Sequence, residues 1–132
     1  MLESRPAARI LVVEDEASLA RGIAFNLKAE GYVADCISDG REACEMLTLP
    51  GPRSRAGHDL VLLDVMLPRM DGFALTSRIR SDGRYTELPV VLVTGLESQG
   101  DRERGVEVGA SAYVVKGSFD QSNLLETIRR LI

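Results

Sequence analysis

Histidine and cysteine are scarce in this chain: there is one histidine, His58, and there are two cysteines, Cys36 and Cys44. A lone histidine cannot build the imidazole clusters that hold metals in many hydrolases, and His58 falls in a loop, so it is expected to be structural. Cys36 and Cys44 lie in a predicted strand and in the helix after it, at a spacing that fits no zinc or redox motif. They are expected to be reduced packing residues. No apolar run approaches the roughly 20 residues of a membrane span, and Met1 to Arg9 lack the apolar core of a signal peptide. The expectation is a cytoplasmic chain with no membrane contact. An excess of one charge is missing too: 16 Lys and Arg mix with 20 Asp and Glu for a net charge of −4. Without a basic stripe, direct nucleic-acid binding is not expected, and without a polyacidic tail neither is disorder. The 132 residues, 45% of them hydrophobic, suit one domain with a sizeable core. The expected partner is another protein.

What is present is a regular alternation of two hydrophobic patterns. Residues 9–13 (Arg-Ile-Leu-Val-Val) and 60–63 (Leu-Val-Leu-Leu) are apolar runs too short for buried helices. Each reads as a fully buried parallel strand. Residues 17–30 carry Leu19, Ile23 and Leu27 with Ala20 and Ala24 beside them, an amphipathic helix ended by Gly31. Strand 2 follows at 32–37, and Asp39-Gly40 opens helix 2 to about Leu49. Residues 50–57 (Pro-Gly-Pro-Arg-Ser-Arg-Ala-Gly) read as an exposed loop longer than most such connections. Strand 3 is 60–64. Helix 3 starts after Asp71-Gly72, buries Leu75 and Ile79, and stops at Asp82-Gly83. Strand 4 is 89–94, helix 4 about 98–108, strand 5 112–115 and helix 5 119–131, with Leu124, Ile128 and Leu131 inward and Ser118 and Gln121 fitting a capping box. Helix 4 contains Gly100 and Gly105 and almost no apolar stripe beyond Val106, so it is expected to be weakly held. Strict alternation implies an α/β, doubly wound, five-stranded parallel sheet of flavodoxin-like type, order 2-1-3-4-5, with five helices. Its topological switch point lies between strands 1 and 3.

The acids sit at that point. Glu14 and Asp15 follow strand 1 and Asp64 closes strand 3, so neighbouring strands roughly 5 Å apart would crowd three carboxylates into one crevice. That repulsion must be relieved by protonation or by a cation, and a hard divalent metal is the simpler solution. Magnesium keeps several waters and takes one or two carboxylates directly, which suits Asp15, Asp64 and a backbone carbonyl near Met66, with Glu14 acting through water. A carboxylate is ionised at neutral pH and needs no base to act as a nucleophile, so Asp64 suits capture of a phosphoryl group as an aspartyl phosphate. Thr94 closes strand 4 with a hydroxyl donor, and Lys116 closes strand 5 with a compact positive charge. Asp71-Gly72 reads as the turn into helix 3 rather than a ligand, and Arg53 and Arg55 as a solvated loop.

Ile10-Leu-Val-Val-Glu-Asp-Glu16, Asp64-Val-Met-Leu-Pro-Arg-Met-Asp-Gly72, Val91-Leu-Val-Thr-Gly95 and Ala112-Tyr-Val-Val-Lys116 together resemble the receiver domains of two-component response regulators. The resemblance covers essentially residues 9–131, leaving 1–8 as an N-terminal tail and 9–132 as the receiver. It implies that Asp64 is the phosphoacceptor, that Glu14 and Asp15 hold Mg²⁺, and that Thr94 and Lys116 contact the phosphoryl group. Tyr113 looks like the aromatic switch residue, and Gly95 leaves the pocket open. It further implies a histidine kinase or phosphotransfer protein as donor, and a downstream protein partner on the helix 4, strand 5, helix 5 face. The only catalysis implied is of the domain's own phosphorylation and dephosphorylation.

Several features depart from the family pattern or narrow it. Gly117 follows Lys116 where most receivers have proline; a non-proline cis bond costs about 3 kcal/mol, so a trans peptide, or one rescued by glycine's freedom, is expected. Residues 116–121 and 123–128 resemble receivers attached to chemotaxis-type hybrid kinases. Gly-Ala-Ser-Ala at 109–112 replaces the acidic pair common in winged-helix transcription regulators, so their salt-bridged dimer is less supported. Apolar Met66 and Leu96 flank the pocket and offer nothing to orient water, so slow self-dephosphorylation is expected. A dehalogenase-type phosphatase would need an acid where Met66 stands. A flavodoxin-like electron carrier would need a hydroxyl-rich loop in place of Glu14-Asp15-Glu16, and a protein-binding pseudo-receiver would lack part of the acid, Thr and Lys set. The alternative to a free-standing receiver is a receiver fragment of a hybrid histidine kinase or of a longer DNA-binding regulator.

Overall fold

The computed structural model describes residues 7–48, 57–95, 99–115 and 121–132. Five strands and five helices alternate: β1 (Arg9–Val13), α1 (Ala17–Ala29), β2 (Val33–Ile37), α2 (Gly40–Thr48), β3 (Leu60–Asp64), α3 (Gly72–Ser81), β4 (Val90–Thr94), α4 (Gln99–Glu107), β5 (Ala112–Val115) and α5 (Gln121–Leu131). The strands form one parallel sheet in the order β2-β1-β3-β4-β5, the doubly wound arrangement expected from the alternation. A 3₁₀ turn, Gly83–Tyr85, follows α3.

The central strands are continuous apolar runs because both of their faces are covered. Alternate residues of each strand point to opposite faces. Leu11, Val13, Val61, Leu63 and Leu92 join Ala43, Cys44 and Leu47 of α2 and Phe73, Leu75 and Ile79 of α3 in one core. Ile10, Val12, Leu60, Leu62, Val91 and Val93 join Ile23 and Leu27 of α1 and Leu124 and Ile128 of α5 in the other. Each fully buried Leu or Ile contributes roughly 1.5–3 kcal/mol, so these two layers supply most of the driving force.

The sheet edge overturns one expectation. Cys44 is buried, but Cys36 is exposed, because β2 has no strand on its outer side and this residue lies at the rim of the α1-covered face, its Sγ 3.9 Å from the Ala20 carbonyl. The buried portion of its environment, with Lys28 opposing and Asp35 adding to the effect, pushes the Cys36 thiol up. His58 fits the structural expectation: its side chain is buried, and Nε2 lies 2.7 Å from Asp35 Oδ2, which also accepts from Arg9 Nη2 at 2.9 Å. Burial raises the Asp35 carboxyl, but hydrogen bonds from His58 and Arg9 and their charges outweigh it and hold the group below its usual range.

α4 is attached differently from its neighbours. Among the described residues of α4 whose burial is given, Gly105 alone is buried, and Val106 is 77% exposed. Two guanidinium-on-ring contacts tie it down: Arg104 lies 4.9 Å from the ring centre of Phe73 and Arg102 lies 5.2 Å from that of Tyr113. Such contacts contribute roughly 0.5–1 kcal/mol each at exposed sites, less than one buried leucine. Amide exchange in Gln99–Glu107 should therefore be much faster than in Ala17–Ala29 when followed by mass spectrometry. Equal protection of the two helices would contradict this account of α4.

Candidate functional site

Parallel strands deliver all their carboxyl ends to one edge, and the register decides which residues meet there. Val13 of β1 pairs with Leu63 of β3, and Asp64 pairs with Val93 of β4. The residues that follow Val13 therefore emerge beside Asp64. Carboxylate oxygens of Glu14, Asp15 and Asp64 all lie within 4.8 Å of one another. Glu14 and Asp64 are buried, at 4% and 5% exposure, while Asp15 faces solvent. At that separation two unit charges repel by about 1 kcal/mol in water and about 3 kcal/mol at the effective dielectric of a protein surface.

Local backbone fixes the buried pair. Glu14 Oε2 accepts from the Glu16 N–H at 3.1 Å, and the Glu14 N–H donates to the Ile37 carbonyl at 3.0 Å. Asp64 Oδ1 accepts from the Met66 N–H at 3.1 Å. The first turn of α3 is pressed against this strand end, because a Cβ on Gly72 would stand 2.6 Å from the Asp64 carbonyl oxygen and 2.9 Å from Val65 Cα. Only glycine tolerates that approach. Asp71 begins the helix as read from sequence: its Oδ1 accepts from the Ala74 N–H at 2.8 Å, an N-cap rather than a fourth ligand.

The other expected residues fall around the same edge. Thr94 is fully buried at the end of β4, one residue past the Val93 that pairs with Asp64. Gly95 follows it, and a Cβ there would meet nothing within 4 Å. Met66 is 64% exposed. Tyr113 on β5 is half-buried, with its ring close enough to α4 that a Cβ on Gly105 would stand 3.0 Å from it. Burial, reinforced by Asp101 and opposed by Arg102, raises the Tyr113 phenol. Lys116, Gly117, Ser118 and Leu96 lie outside the described residues, as do Arg53 and Arg55. Beside the acids opens a cleft of about 610 Å³ lined by Asp15, Met66, Phe73, Asp101 and Arg104, among others. The sequence reading missed Asp101 and Arg104, since the polar face of a weakly patterned helix gives no signal of which side meets the site.

Three carboxylates form a hard oxygen donor set, which suits Mg²⁺ or another oxygen-seeking divalent cation better than soft metals that select thiolate or imidazole. Cation binding here should raise the melting temperature. With the ion at ten times its Kd the gain is about 1.4 kcal/mol, or about 5 °C for a domain of this size. Asp15→Ala should remove most of that rise in a calorimetric melt; an equal rise in the variant would place the cation elsewhere.

The family model for the response regulator receiver domain matches residues 10–129. The transcriptional regulatory protein PcoR of Escherichia coli is 38% identical over 124 residues, 94% of this chain and 51% of PcoR. The chain thus spans about half the length of that relative. The chemotaxis protein CheY4 of Vibrio cholerae superposes with a TM-score of 0.85 at 29% identity, covering 96% of this chain and 100% of CheY4. The receiver domain of the sensor histidine kinase PA1611 of Pseudomonas aeruginosa superposes at 0.82 with 28% identity, covering 96% of this chain and 98% of that one. That structure carries a magnesium ion coordinated in its active-site cleft.

Proposed function

The chain belongs to the response regulator receiver domain family of two-component systems, and from that premise we propose that it accepts a phosphoryl group on Asp64 from the phosphohistidine of a histidine kinase or phosphotransfer protein. The observation that carries this reading is the meeting of Glu14, Asp15 and Asp64 within 4.8 Å at the switch point of the sheet. We assign residues 9–132 to the receiver and 1–8 to a tail. An Asp64 oxygen forms the new bond to phosphorus as the bond from phosphorus to the donor imidazole nitrogen breaks, and the imidazole leaves with a proton. Asp15, Asp64 and the Met66 carbonyl would hold Mg²⁺, with Glu14 acting through water, and the ion would supply charge neutralisation for the transferring group. The Met66 N–H, 3.1 Å from Asp64 Oδ1, keeps the nucleophile oriented. Thr94 donates its hydroxyl to the bound phosphoryl group, and Lys116 adds positive charge.

The consequence is a change of surface rather than turnover of a separate substrate. Thr94 moves toward the phosphoryl group, Tyr113 fills the space it leaves, and the α4-β5-α5 face changes its affinity for a downstream protein. Weak attachment of α4 supports this, since a loosely held helix needs little free energy to shift. No helix among the described residues is long and apolar enough to cross a membrane, and we place the chain in the cytoplasm with no direct nucleic-acid contact. A second reading puts the same site inside a longer protein, either a hybrid histidine kinase or a DNA-binding regulator; the 51% coverage of PcoR favours it.

Incubation with acetyl phosphate and Mg²⁺ should add one phosphoryl group to the intact mass, with none added to Asp64→Ala or in chelator. An unmodified parent protein, or an equally modified Asp64→Ala, would overturn the assignment. The bound group should also be long-lived, because apolar Met66 stands where a polar side chain could orient attacking water. Decay of the mass adduct over seconds after removal of the donor would contradict this.

A further inference from the structure

Two loops at the active edge touch each other away from the acids. Arg69, in the connection between β3 and α3, is the only non-glycine among the described residues with a positive φ, 66°. Arginine has no intrinsic preference for that left-handed conformation, so something outside the residue must hold it. Its Nη2 donates to Asp39 Oδ2 in the connection between β2 and α2. The Arg69 side chain is 61% exposed, whereas Asp39 is only 13% exposed and is anchored by its other oxygen, which accepts from the Arg41 N–H at 2.8 Å. The next residue completes the contact. A Cβ on Gly40 would overlap the Met70 carbonyl, so the β2-α2 connection presents a fixed carboxylate and a bare Cα to the Arg69-Met70 backbone.

Backbone hydrogen bonds link the Arg69 segment to the residues around Asp64. The loop is closed on itself by the Met70 N–H on the Pro68 carbonyl at 2.7 Å, and by the Leu67 and Gly72 N–H groups on the Val65 carbonyl at 3.1 and 2.9 Å. Between those fixed points lies Met66, whose N–H meets the Asp64 carboxylate. We propose that Arg69 and Asp39 form a latch that positions the β3-α3 loop, and through it the Asp64 carboxylate and the Met66 backbone, for cation binding and phosphoryl transfer. Neither residue touches the reacting atoms. The proposal rests on the reading of Asp64 as phosphoacceptor. A mostly exposed arginine adds little to global stability, so its effect falls on the geometry of the loop rather than on the fold.

Variants can separate the latch from the backbone conformation. Arg69→Gly keeps the left-handed residue comfortable while removing the guanidinium. Asp39→Asn keeps an oxygen for the Arg41 N–H but turns an amide donor toward Arg69. Titration calorimetry with MgCl₂ should show Kd raised roughly tenfold in each, the scale of losing an outer partner of a metal site. The double variant should be no worse than either single, Arg69→Lys should recover part of the loss, and metal-free melting temperatures should stay near the parent value. An unchanged Mg²⁺ Kd in both singles, a double loss equal to their sum, or losses that follow a fall in melting temperature would overturn the latch. Acetyl phosphate labelling of the parent runs alongside. If the parent binds Mg²⁺ but takes no phosphoryl group, the phosphoacceptor reading fails, while the Kd comparison still decides whether the latch shapes the cation site.

Discussion

Repulsion among three carboxylates at adjacent strand tips is the constraint on which the rest of the molecule turns. Burial of Glu14 and Asp64 removes water that would otherwise screen them, and the register between β1 and β3 leaves them no room to separate. The surroundings are built to bear that cost. The backbone N–H groups of Glu16 and Met66 donate to the Glu14 and Asp64 carboxylates respectively, and Gly72 lets the first turn of α3 brace the end of β3. A site under this electrostatic load responds strongly to any added positive charge or to a charge-altering modification, which is the physical requirement for a switch.

The two faces of the sheet answer that load differently. α1 and α5 cover one face with leucine and isoleucine, and α2 and α3 cover much of the other in the same way. α4 alone relies on arginine over aromatic rings and on a glycine that lets Tyr113 approach. The least firmly held helix thus lies beside Thr94 and Tyr113, while the rigid layers keep the acids in register. Under the proposed function, such a division would confine conformational response to one surface and leave the chemistry on a stiff frame.

Much of this was legible in the residues themselves. The apolar runs ending in Val13, Asp64 and Thr94 marked the buried strands, and strict alternation with helical stripes gave the parallel order, because only a covered sheet tolerates such runs. The acids were legible as a cluster because a parallel sheet sends all strand ends one way. Contacts across long separations were not. Arg69 meets Asp39 over 30 positions, and Arg80 donates to the Gly109 carbonyl over 29; neither arginine differs in pattern from a solvated one. The exposure of Cys36 was misjudged although the order 2-1-3-4-5 already put strand 2 at the edge, because how far α1 covers that edge depends on packing that the strand's own sequence does not record. His58 could be read as structural, but its partner Asp35 is supplied by β2, 23 positions earlier in the chain.

The central claim, a single cation shared by the tips of β1 and β3, is tested most directly by substoichiometric Mn²⁺ added to isotopically labelled protein, with amide resonances followed by NMR. Paramagnetic broadening should erase the signals of Glu14, Asp15, Glu16, Val65, Met66 and Leu67 first and together, and Mg²⁺ should restore them. Broadening centred on other acids, or on one strand tip without the other, would contradict a shared site.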